Sequence, residues 1–121
     1  MKVIKAVDRG EVDNTHRDIF EGGQVVMNPL VDSDDSESYR FNVVNFKGGA
    51  RTKLHTHTCD QILYVTNGKG FVGTRDEEIA ITEGDTALIP AGEVHRHGAN
   101  YGEDFSHISL QTAQCTTDVV E

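Results

Sequence analysis

Between Tyr39 and Gln111 the chain never holds a helical apolar period. It breaks instead into short runs rich in β-branched and aromatic residues: Tyr39 to Phe46, Lys53 to His57, Gln61 to Thr66, Gly70 to Thr74, Glu78 to Ile81, Thr86 to Ile89, His95 to Gly98 and Ser106 to Gln111. Runs of this length and spacing, separated by glycine or acidic clusters, define an all-β sandwich or barrel and exclude a helical domain. The breaks have turn chemistry. Gly48-Gly49, Arg75-Asp76-Glu77, Glu83-Gly84-Asp85 and Pro90-Ala91-Gly92 each end a run, and Asn67-Gly68 predicts a two-residue type I′ hairpin. The simplest reading is a meander of antiparallel strands over residues 39–121. Residues 1–38 then form an N-terminal arm of the same domain, with edge strands expected at Val3 to Val7 and at Gln24 to Met27, before the Asn28-Pro29 break.

A length of 121 residues suits one domain that buries its own core. Twenty acidic residues against eleven basic ones give a formal charge of −9, which repels nucleic acid and anionic membrane surfaces, so neither is an expected partner. The acidic run Asp32 to Glu37 reads as a solvated loop. Lys2 and Lys5 are followed by no apolar run, and no stretch approaches the roughly 20 apolar residues of a membrane span. A cytoplasmic protein is expected. Cys59 and Cys115 belong to no CxxC pair, so two idle thiols are expected, with a Cys59 to Cys115 bridge left open.

Strand alternation places His55 and His57 on one side of the chain, about 7 Å apart. That is a bite for one cation. Gln61 keeps the same parity after a short turn, and His95, just past the Pro90-x-Gly92 turn, can close the set. Three neutral imidazoles and one oxygen suit a divalent ion such as Mn, Fe, Ni, Zn or Cu and leave positions open for substrate. His107 shares parity with Gln111 on the last run and is the candidate for proton transfer. His97 reads as an outer or half-exposed neighbour and His16 as a surface residue. Cys59 is off the ligand parity, and Asn42 and Val44 face the prospective pocket.

The full pattern, Gly49-x5-His55-x-His57-x3-Gln61-x6-Gly68 followed by Gly84-x5-Pro90-x-Gly92-x2-His95, resembles the two signature motifs of the cupin superfamily, with fifteen residues between them. The resemblance implies a jelly-roll barrel, the double-stranded β-helix, with a metal at its centre. Phe20-Glu21-Gly22-Gly23, Asn28-Pro29-Leu30-Val31, Gly49-Ala50-Arg51-Thr52, His95-x-His97-Gly98-Ala99 and Ser106-His107-Ile108 narrow it to small single-domain cupins that include the manganese-dependent hydroxynitrile lyases. That likeness implies one manganese ion held by His55, His57, Gln61 and His95, with His107 matching the non-ligand histidine of the active site. It also implies a homodimer, for which an edge strand in residues 1–7 would be a natural donor. Leu54, Thr58 and Asp60 stand where the relatives usually carry tryptophan, proline and glycine, so the pocket rim differs and the substrate does not transfer.

Many cupins use glutamate where this chain has Gln61. A neutral amide leaves the divalent charge undiminished, which strengthens the ion as a Lewis acid and disfavours a trivalent state. The expectation is therefore a lyase or isomerase acting on a small polar molecule. An O2-dependent oxidoreductase and a non-catalytic ligand- or metal-binding cupin are the alternatives.

Overall fold

The structure is a computed structural model describing residues 1–121. A short 3-10 turn (Ala6–Asp8) precedes twelve strands: β1 (Val12–Asp13), β2 (Phe20–Glu21), β3 (Gln24–Val31), β4 (Tyr39–Lys47), β5 (Arg51–Thr52), β6 (His55–His57), β7 (Gln61–Gly73), β8 (Glu78–Thr82), β9 (Thr86–Ile89), β10 (Arg96–Ala99), β11 (Phe105–Thr112) and β12 (Thr117–Val119). The expected edge strand at residues 3–7 is absent: that segment leads into the 3-10 turn. The Gln24 strand runs on through Pro29 to Val31, with a register shift at Pro29 that accommodates the missing donor.

The strands do not follow one another as a meander. Ten of them order as β1-β3-β4-β11-β7-β10-β5-β2, with β8 and β9 both on β7, and β12 pairs separately with β6. β4 pairs along its length with β11, from Tyr39↔Thr112 to Phe46↔Phe105. Turn residues mark where a chain reverses; they do not say which sheet the next strand joins. The result is the rolled, two-layered sheet of a jelly roll.

β7 carries the roll. Its first half pairs with β11 and β9, and its second half with β10 and β8. Partners change after Gly68, the last β7 residue paired with β11, and the register against β11 shifts just before it, at Thr66, which is skipped between Val65↔His107 and Asn67↔Ser106. The expected type I′ hairpin is therefore absent, and a bulge within one continuous strand lies beside it. Asn67 lacks the positive φ that turn needs, while Gly68 has φ +80° and a Cβ there would lie 2.5 Å from the Asp104 carbonyl.

Alternation along β3, β4, β7 and β11 turns Val25, Val44, Phe46, Val65 and Phe105 inward. Phe46 stacks on Phe105 at 6.2 Å, and each such buried side chain contributes about 1.5–3 kcal/mol. This cluster fills one end of the barrel. At the other end the inward positions are polar: His55, His57, Gln61, His95, His97, His107 and Ser109 are all buried.

Two further expectations change. Cys59 and Cys115 are not idle thiols but a disulfide, closing a loop across 56 positions. The acidic loop is not simply solvated: the Asp35 side chain is 3% exposed and pairs with Arg9 at 2.7 Å and with Lys2. No helix is long and apolar enough to cross a membrane.

Candidate metal centre

His55 and His95 form an isolated antiparallel bridge. Each backbone N–H donates to the other's carbonyl, at 2.9 and 3.0 Å. A hydrogen-bonded pair projects both side chains to the same face, and the rings lie 4.2 Å apart. Thr82-Glu83-Gly84-Asp85 and Pro90-Ala91-Gly92-Glu93 are closed turns that deliver β9 and His95 to that face. In the second, the Gly92 N–H also donates to the His57 carbonyl at 2.9 Å. His57 follows His55 on the same side, its ring 4.8 Å from His55 and 5.2 Å from His95. Gln61, the first residue of β7, places Oε1 3.3 Å from His95 Nε2. The four residues expected as ligands are thus brought together.

Their hydrogen bonds fix which atoms face one another. His55 Nδ1 lies 2.7 Å from the Lys53 carbonyl and His95 Nδ1 2.9 Å from the Glu93 carbonyl. A carbonyl only accepts, so in the neutral rings Nδ1 carries the proton and Nε2 presents a bare lone pair. His57 Nδ1 lies 2.9 Å from Thr117 Oγ1, a hydroxyl that can donate or accept, and the buried His57 Nε2 has no partner. The Gln61 amide is oriented by donation from Nε2 to Ser109 Oγ at 2.9 Å, which turns Oε1 inward.

Burial keeps these rings neutral. It pushes His55 down to about 3, with His95 adding repulsion, and His57 down to about 4 by the same two causes. His95 is also lowered by burial. The His95 Nε2 and Gln61 Oε1 lone pairs therefore face each other at 3.3 Å with no proton between them, beside the neutral rings of His55 and His57, and a divalent cation is a partner that would satisfy them. The residues fit the metal expected from the sequence motifs.

His97 is not half-exposed, as its sequence position suggested. It is buried, and a ring nitrogen of His97, rather than one of His57, lies with those of His55 and His95 inside a 4.8 Å span. It differs from the others in its Nδ1 contact, which is His107 Nε2 at 3.0 Å. His107 does not touch the ligand set; it is joined to it through His97, with Phe46 5.3 Å beneath its ring. Burial lowers both, His107 to about 4 and His97 well below its usual value, the latter helped by repulsion from His107. The outer atoms of the pair, His97 Nε2 and His107 Nδ1, have no partner.

A cavity of about 130 Å³ opens onto His55, His57, Gln61, His97 and His107 and continues past Asn42 and Val44, the two residues expected to line it. Sequence reasoning missed Ser109, Thr117 and Arg40 on its wall. A serine or threonine at an inward strand position was the available signal for the first two. For Thr117, the β-branched run of β12 also went unread.

These features coincide with a known family. The model of the cupin domain matches residues 42–110, and the chain belongs to that family. It is similar to the (R)-mandelonitrile lyase of Granulicella tundricola, with 37% identity over 92 residues, 74% of this chain and 69% of that one. An uncharacterised protein of Methanocaldococcus jannaschii is 28% identical over 120 residues, 96% of this chain and 87% of that one. Among solved structures, a cupin-like protein from Thermotoga maritima superposes with a TM-score of 0.78 at 35% identity, covering 86% of this chain and 80% of that one. The polyketide cyclase RemF from Streptomyces resistomycificus has the same fold, with a TM-score of 0.85 at 17% identity over 100% and 86% of the two chains.

Proposed function

We propose that this cupin is a metal-dependent enzyme of the lyase or isomerase type, acting on a small polar molecule that carries a hydroxyl or carbonyl group. The observation that carries the reading is the meeting of the His95 Nε2 and Gln61 Oε1 atoms beside His55, with both Nδ1 atoms of the two histidines turned to backbone carbonyls and no carboxylate among the group. A divalent ion there, manganese in the first instance, would be held by His55, His57, Gln61 and His95 and would supply a Lewis acid of undiminished charge.

The chain's own groups do the rest. The Lys53 and Glu93 carbonyls and Thr117 fix the imidazole orientations, and Ser109 fixes the amide. Phe46 closes the floor and excludes water from the paired histidines. His107, neutral at pH 7, can accept a proton from a substrate hydroxyl at Nδ1 and return it to a leaving group. Through the 3.0 Å contact with His97 Nδ1, the proton on the pair can change sides without entering water.

The similarity to a mandelonitrile lyase supports a hydroxyl-bearing substrate; Leu54, Thr58 and Asp60, expected at the pocket rim, do not line this cavity. A small-molecule substrate and a two-fold pairing of copies belong to this proposal. With no strand at residues 1–7, pairing would use the exposed outer row Ile62, Tyr64 and Leu88. The test is anaerobic turnover of a panel of 2-hydroxy compounds, mandelonitrile included, by manganese-loaded protein and by His107→Ala. Turnover without oxygen that is lost in the variant, at unchanged metal content, is the expected result. Turnover that requires oxygen, or that survives the substitution, contradicts it.

A further inference from the structure

The cavity wall is basic in an acidic protein. The chain has 20 Asp and Glu among 121 residues, yet none lines this cavity, while two arginines, Arg17 and Arg40, do. Neither forms an ion pair, although Lys2, Arg9, Arg51, Lys53 and Arg96 all do. Arg40 lies on β4 opposite Gln111, one inward step along from the Asn42–Ser109 pair, hence about 7 Å from the level at which Ser109 holds Gln61. Its Nη2 donates to the Thr112 carbonyl at 3.4 Å and to the Cys115 carbonyl, which fixes the guanidinium plane. Its Nε is buried with no acceptor. Arg17 stands 6.0 Å over the Phe20 ring, which also lines the cavity.

A buried guanidinium N–H without a partner is costly, and with Nη2 already donating to two carbonyls the remaining Nε–H is best met by one oxygen of a carboxylate, in a charge-assisted hydrogen bond. We propose that the substrate is a small hydroxy or oxo carboxylate whose carboxyl group is held by Arg40, with Arg17 at the mouth, while its hydroxyl or carbonyl end faces the histidines. The assignment rests on the reading of this cavity as the substrate site. Arg40 is then the residue that sets specificity, and a neutral amide of equal size offers its Nε–H only an uncharged acceptor and leaves the guanidinium charge uncompensated.

The test is calorimetric titration of lactate and of lactamide, its neutral counterpart, into manganese-loaded and metal-free protein, for the wild type, Arg40→Gln, Arg40→Lys and Arg17→Gln. Metal content is measured on the same samples. Lactate should bind the wild type at least tenfold tighter than lactamide. Arg40→Gln should remove that preference at unchanged metal content, Arg40→Lys should keep part of it, and Arg17→Gln should weaken lactate a few-fold. Arg17 is exposed, so its variant reads out even if Arg40→Gln does not fold. Equal binding of the two probes, no binding of either, or full lactate affinity in both Arg40→Lys and Arg17→Gln overturns the inference. Stoichiometric metal with no carboxylate preference leaves the Lewis-acid reading standing, whereas absent metal with an intact, Arg40-dependent preference removes that reading and keeps the anion site.

Discussion

Acidification should destabilise the metal-free protein well above the pH at which carboxylates titrate. His55 and His107 are buried, with their protonation pushed down to about 3 and about 4, against an unfolded value near 6.5. Below pH 6.5 the unfolded chain takes up protons that the folded chain refuses, so stability is complete above that pH and falls as pH drops toward the folded values. For each such histidine the loss between pH 7 and pH 5 is about 2 kcal/mol, so these two together remove about 4 kcal/mol. His57, nearer the cavity mouth, adds a smaller amount after solvent screening, and His95 and His97 shift in the same direction. Domains of this kind are stable by about 5–15 kcal/mol, so the loss is a large share of the whole. Urea denaturation with chelator present, repeated at half-unit steps from pH 8 to pH 4.5, measures it directly. A midpoint falling steeply below pH 6.5 at constant slope is expected. A flat profile between pH 7 and pH 5 would refute the claim that the histidines are held neutral.

Other perturbations separate the parts of the account. Replacing Cys59 and Cys115 by serine removes a cross-link spanning 56 positions. The chain-entropy relation puts the cost at about 4 kcal/mol, or roughly 15 °C in Tm for a chain of this size, measurable by calorimetry against the oxidised protein. Ser109→Ala leaves the Gln61 amide free to turn, and a competition assay should show metal affinity reduced by about 10- to 100-fold. Gln61→Glu should keep the metal but lower turnover, because the carboxylate cancels part of the charge that polarises the substrate. Sedimentation should show a dimer, and a particle near 13.3 kDa would contradict the pairing.

The strand content of the barrel and the convergence of His55, His57, Gln61 and His95 were legible because both depend on local rules: alternation sets the face, and glycine or proline sets the turns. What could not be read was non-local. Asn67-Gly68 carries the strongest hairpin signal in the chain, yet β7 runs on through it because β11 pairs up to Gly68 and β8 and β10 take over beyond it. The closeness of Gly68 to the Asp104 carbonyl is a tertiary fact. Likewise His97 looked peripheral because sequence parity cannot say that β10 packs between β7 and β5, which seals its ring inside. The disulfide and the Arg9–Asp35 pair join residues far apart in sequence, and composition gives no pairing.

The central claim is that a cation sits among His55, His57, Gln61 and His95. Elemental mass spectrometry of untagged protein purified without chelator, beside a His55→Ala/His57→Ala double variant, tests it most directly. The account predicts close to one divalent ion per wild-type chain, manganese first among the candidates, and none in the variant. A wild type that is empty and refuses added metal would contradict it.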